Sequence, residues 1–144
     1  PFARGLGLQL QHLEPGASTL SLDVTEALCN SFLVAHGGVL MTVLDIAMAQ
    51  AARSPEQPGG PLHDTAVTVE MKTTFLRPGL GRLTARGSRL HRTPSLVFCE
   101  ARVEDDQARL VAHATGTFKL VRGLPVDGQR RDALPQQLPT GPTE

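Results

Sequence analysis

The sequence predicts an α+β fold in which a sheet of about six strands covers one central helix. Three observations carry this. Only one stretch, residues 38–52, has the length and composition of a long helix; β-type runs lie on both sides of it; and that helix is apolar all round, so it must be covered. At 144 residues the chain has the size of one domain that can bury a core without disulfides or metal.

The first part, GLQLQHLEPGASTLSLDV, alternates apolar and polar residues on either side of Glu14-Pro15-Gly16, the pattern of two strands around a turn. A linking segment, TEALCNSFLVA, leads to HGGVLMTVLDIAMAQAA, where a helix begins near Gly38 and stops at the breaker-rich RSPEQPGGP. Four β-type runs follow: TAVTVEMKTTFL, GRLTARGSRLH, SLVFCEARVED and RLVAHATGTFKLV. Turns are expected at RPGLG and at Arg92-Thr93-Pro94. Residues 1–121 thus form one domain. Residues 122–144, with four prolines and few apolar side chains, read as a Pro-rich flexible C-terminal tail.

Composition removes several classes of function. Fourteen basic residues balance fourteen acidic ones, and five Phe stand without Tyr or Trp, so neither charge nor stacking material favours nucleic acid. Cys29 and Cys99 lack metal or redox spacing, which fits two independent buried thiols in a cytoplasmic protein. No apolar run is long enough for a membrane span, and the N-terminus does not read as a secretory leader. The five histidines show no ligand spacing, so no metal and no separate cofactor is expected. His63-Asp64 reads as an exposed loop pair, and Gly79-Leu80-Gly81 as a turn. Arg77, Arg89 and Arg92 read as solvated strand residues.

Asp45, in the middle of the apolar helix, is the residue that asks for an explanation. A buried carboxylate needs a partner or a job; the structural alternative is a bond to nearby backbone or to Thr42. Gly37 and Gly38 open the helix. There, unpaired N–H groups, the positive dipole end and the lack of side chains let another molecule's oxygen approach, as in an oxyanion hole. Asp45 lies about 12 Å along the helix from Gly37, too far to reach back. Two copies packed about a two-fold axis, helices antiparallel, would bring Gly37 of one beside Asp45 of the other and make the site twice.

Asn30, His36-Gly37-Gly38 and Asp45 together resemble the hotdog-fold acyl-CoA thioesterases of the phenylacetic-acid-degradation (PaaI-like) type. TVEMKTTFLRP, from Thr68, and ATGTF, from Ala114, are similar to the same family's later strands. The resemblance covers residues 6–121. It implies a hotdog fold, an antiparallel sheet of five to six strands wrapped around one long central helix, assembled as a homodimer or a dimer of dimers. It also implies roles. The Gly37 N–H, helped by Asn30, would polarise the thioester carbonyl, and Asp45 of the other subunit would attack it or activate water. Thr68 would help place that water and His36 would shape the turn; His36 and Gly38 would flank the substrate. Two positions depart from the family pattern: Leu33 stands where a glycine is common, and Thr93-Pro94 where a glycine and a basic residue are.

The expected reaction is hydrolysis of an aryl- or medium-chain acyl-CoA to acid and CoA, since the Met- and Leu-containing helix suits either group. A hotdog acyl-thioester dehydratase or hydratase would need a differently placed His and carboxylate. A non-catalytic acyl-CoA sensor would have no use for Asp45.

Overall fold

The computed structural model describes residues 1–134 and 138–141. A short helix, α1 (Phe2–Gly5), precedes the hairpin β1 (Gln9–Glu14) and β2 (Ala17–Asp23), which turns at Pro15-Gly16. The long helix α2 (Gly37–Arg53) follows, then β3 (Thr65–Phe75), β4 (Arg82–Arg92), β5 (Leu96–Glu104) and β6 (Leu110–Val121). Six strands pair antiparallel in the order β1-β2-β4-β5-β6-β3. The expected single helix and six strands are all present.

Helix α2 lies across the concave face of this sheet. Leu40, Val43, Leu44, Ala47, Met48 and Ala51 are buried, at the spacing of one helical face. Opposite them are Leu20, Leu22, Leu83, Val97, Val103, Val111 and Phe118. Each fully buried leucine or valine contributes about 1.5–3 kcal/mol. Small residues let the helix sit close. At Gly87 an added Cβ would lie 2.3 Å from the Ala47 carbonyl oxygen, and Ser18 Oγ donates to that same oxygen at 2.7 Å. The sequence expectation of a helix buried all round needs correction: Met41 is exposed, while Val39, Ile46 and Ala49 are only half-buried. The sheet covers one face of the helix, and the other face remains open in the single chain.

Two strands carry bulges that matter below. In β3, Thr68 pairs with Phe118 and Glu70 with Thr117, leaving Val69 unpaired and 59 % exposed. In β4 the same happens between Arg89 and His91. The two edges of the sheet differ. Along β1, Leu10 N donates to the Pro139 carbonyl and Gly141 N donates to the Leu10 carbonyl, so residues 139–141 run along that edge. Among the described residues nothing runs along the outer side of β3.

The sequence reading of 122–144 as a loose tail missed a second, small sheet. β7 (Gly123–Val126) and β8 (Gln129–Asp132) pair antiparallel. The turn between them is Asp127-Gly128, both at positive φ (51° and 74°), the conformation that a two-residue hairpin turn requires and that Asp-Gly favours. Residues 135–137 and 142–144 of that tail lie outside the described residues.

Candidate active site

The turn that delivers the chain to α2 is built around Asn30. Its Oδ1 accepts from Phe32 N at 2.9 Å, and its backbone N–H donates to the Val34 carbonyl at 2.9 Å. Leu33 closes the turn at φ 57°, a left-handed conformation strained for a branched side chain, at the position where a glycine is common in the resembled family. The turn is pinned from both sides, by Ala35 N on the Gly79 carbonyl and by His36 N on the Leu28 carbonyl. Oδ1 is thus committed, and the Asn30 amide N–H2 donates to no group among the described residues.

His36 is the N-cap of α2. Its Nδ1 accepts from Gly38 N at 2.9 Å, and its carbonyl accepts from Val39 N and Leu40 N. The cap therefore uses the Gly38 N–H, so Gly38 has no donor left for a substrate. Among the described residues the Gly37 N–H has no acceptor. A side chain at Gly37 would meet only the Phe75 ring at 3.5 Å, so this N–H lies beside an aromatic wall at the positive end of the helix.

Asp45, two turns on, is half-buried. Thr68 Oγ1 of β3 donates to its Oδ1 at 2.6 Å, and Oδ2 accepts no bond from the described residues. The partner is therefore neither nearby backbone nor Thr42, whose hydroxyl donates instead to the Gly38 carbonyl at 2.9 Å. Burial pushes the Asp45 carboxyl above its ordinary value of 3.8, and the Thr68 hydroxyl draws it back down. A partly desolvated carboxylate with one oxygen anchored and one open is suited to take a proton or to attack an electrophile.

The candidate residues thus fall into two groups. Asn30, His36, Gly37 and Gly38 surround the start of α2; Asp45 and Thr68 meet at its middle. Among the described residues no hydrogen bond joins the two groups within the chain. Phe75 was not anticipated. Thr68 and Phe75 are seven positions apart, which in a regular strand puts them on opposite faces. The bulge at Val69 absorbs one residue and turns both towards the helix, and no sequence pattern signals that bulge.

Arg77 is exposed as expected, but Arg89, Arg92 and His63 are corrected. Glu56, just beyond α2, is bound by Arg89 at 3.1 and 3.2 Å, by His63 at 2.8 Å and by Arg92. Its carboxyl is held below the ordinary range by the His63 bond first, with Arg89 and Arg92 adding to it. The Arg89 side chain is 12 % exposed, so it is neither solvated nor free for a phosphate, and His63 is half-buried rather than exposed. Arg77 donates to the Leu110 carbonyl. The two cysteines are free. Cys29 is half-buried rather than buried, while burial pushes the Cys99 thiol up to about 12.

A family model described as the thioesterase superfamily matches residues 32–112, more than half of the chain, from just after Asn30 to the first residues of β6. The medium/long-chain acyl-CoA thioesterase YigI of Salmonella typhimurium is 26 % identical over 82 % of this chain and 84 % of its own length. The acyl-coenzyme A thioesterase PaaI of Escherichia coli is 27 % identical, over 84 % of this chain and 83 % of its own. The solved structure of the E. coli PaaI protein from the phenylacetic acid degradation operon superposes with a TM-score of 0.75 at 25 % identity, covering 83 % of each chain. The six-stranded sheet around one helix is the hotdog fold.

Proposed function

This chain belongs to the thioesterase superfamily and is a thioester hydrolase, and from that premise we propose that it cleaves an aryl- or medium-chain acyl-CoA at two sites shared across a homodimer. The observation that carries the reading is the pairing of an open Asp45 Oδ2, its other oxygen held by Thr68, with an unused Gly37 N–H at a helix start.

Each group then has a role. The Gly37 N–H and the Asn30 amide donate to the thioester oxygen as it gains charge, a stabilisation worth about 3 kcal/mol for one good donor. Asp45 of the other subunit works on the carbonyl carbon. As a base it takes a proton from water while the water oxygen bonds to carbon. As a nucleophile it forms an anhydride that water then opens. In either case the carbon–sulfur bond breaks, the sulfur leaves as CoA thiolate and takes up a proton, and the acyl group leaves as a carboxylate. His36 holds the helix start in shape.

The open edge of β3 supports the dimer. It is eleven residues long, and Val69 and Phe75 on it, with Leu76 just beyond, are 50 % or more exposed. A long unpaired edge with apolar side chains is a template for pairing with another strand. Two β3 edges related by a two-fold axis continue the sheet and set the two helices antiparallel. Gly37 of one chain then lies alongside Asp45 of its partner.

The test is thiol release from phenylacetyl-, benzoyl- and straight-chain acyl-CoAs. Wild type should cleave at least one of them, and Asp45→Asn should lose at least about a hundredfold in kcat while remaining folded. Binding without cleavage by wild type would refute the catalytic reading. A single turnover in heavy-oxygen water labels Asp45 only if it is the nucleophile.

A further inference from the structure

At the end of α2 away from Gly37, a cavity of about 680 Å³ opens between the helix, β1 and the segment 138–140. Its walls are mostly apolar, with Leu10, Leu13, Leu62, Leu138 and Pro139, and Arg4 and Thr140 stand at the lining as well. Into this lining α2 brings two polar side chains one turn apart, Gln50 and Arg53. Gln50 is 8 % exposed, and its amide makes no hydrogen bond among the described residues. The Nε of Arg53 is buried and has no acceptor among the described residues. Among the described residues no acidic side chain lines the cavity, and the neighbouring carboxylate, Glu56, is already taken by Arg89, Arg92 and His63.

We propose that this cavity binds a small monocarboxylate with an apolar body, its carboxylate held by the Arg53 guanidinium and the Gln50 amide. Three features support the assignment. A guanidinium whose Nε is buried without an acceptor among the described residues gains from a partner, and a carboxylate supplies both the charge and the paired acceptors that its planar fork fits. An amide beside it can donate to the second carboxylate oxygen. The apolar walls, and a volume typical of small-molecule sites, then select an alkyl or aryl body over a bare inorganic anion. The cavity is separate from the catalytic groups: Arg53 lies about 12 Å beyond Asp45 and about 24 Å beyond Gly37 along the helix. The proposal does not depend on the thioesterase reading.

The experiment is calorimetric titration of octanoate into the full chain, with 1-octanol as the uncharged control. The expected result is saturable octanoate binding that weakens at least tenfold in Arg53→Gln and in Leu62→Trp, and is unchanged in Asp45→Asn. Leu62 is 47 % exposed at the rim, so the tryptophan fills the cavity without disturbing the core and decides the matter if Arg53→Gln does not fold. Absence of saturation, equal affinity for octanol, or undiminished binding in the folded cavity variants would overturn the proposal. So would binding that Asp45→Asn abolishes, because octanoate would then sit at the catalytic carboxylate.

Discussion

Burial and one opposing hydrogen bond together shift the carboxyl of Asp45. Burial raises its carboxyl above 3.8 and the Thr68 donor lowers it, so the acid limb of kcat/KM should lie above the ordinary aspartate value. Thr68→Val removes the lowering contribution and should move that limb to higher pH, which a pH–rate profile reads directly. The same shift has a stability sign. Because the folded pKa exceeds the unfolded one, the folded state holds the extra proton in the window between them. The stability Asp45 confers below pH 3.8 is lost as pH rises through its folded value. Asp45→Asn should therefore raise the thermal midpoint at neutral pH while abolishing turnover. Helical spacing and burial were enough to single out Asp45 from sequence. Its partner was not legible that way: Thr68 is 23 positions along, on another element, and only the family resemblance pointed to it.

Helix α2 is placed by its ends and by what lies beneath it. His36, at φ −61° and ψ 139°, has the backbone that a following proline requires, and the first helical position tolerates proline. Gly37→Pro should keep the fold, delete the one open N–H and lower kcat by about a hundredfold to a thousandfold. Beneath the helix, Gly87→Ala would drive a Cβ to within 2.3 Å of the Ala47 oxygen and 2.8 Å of Ser18 Oγ. Urea denaturation should show a loss of about 3 kcal/mol. Gly116→Ala, whose Cβ would stand 3.1 Å from Met48 Cε and Phe118 Cε2 and 3.2 Å from the Glu70 carbonyl oxygen, is a milder clash and should lose about 1–2 kcal/mol. The helix and the six large strands were legible because period and turn residues agree along each of them. The β7–β8 hairpin was legible in principle from Asp127-Gly128, but the prolines and charges around it read as disorder. The bulge in β3 was not legible, since no residue type at Val69 demands it.

At the scale of the whole molecule, the proposed division of the site between two chains makes a quantitative claim. Asp45→Asn chains keep a sound Gly37, and Gly37→Pro chains keep a sound Asp45. If the site is shared, mixing equal amounts of the two inactive proteins with subunit exchange makes half the dimers mixed. Each mixed dimer has one complete site of two, and about a quarter of wild-type activity should return. A site contained in one chain would recover none. Sequence reasoning reached this arrangement from a distance along one helix; what it could not foresee was how unequally the two margins of the sheet are finished. Along β1 the chain's own residues 139–141 bond the Leu10 N–H and carbonyl, while β3 pairs with no strand on its outer side among the described residues. Head-to-tail growth of a sheet needs a vacant margin at both ends of every unit. In the proposed dimer a unit with one shielded margin meets a copy of its other side, so association through the sheet would stop at two rather than propagate.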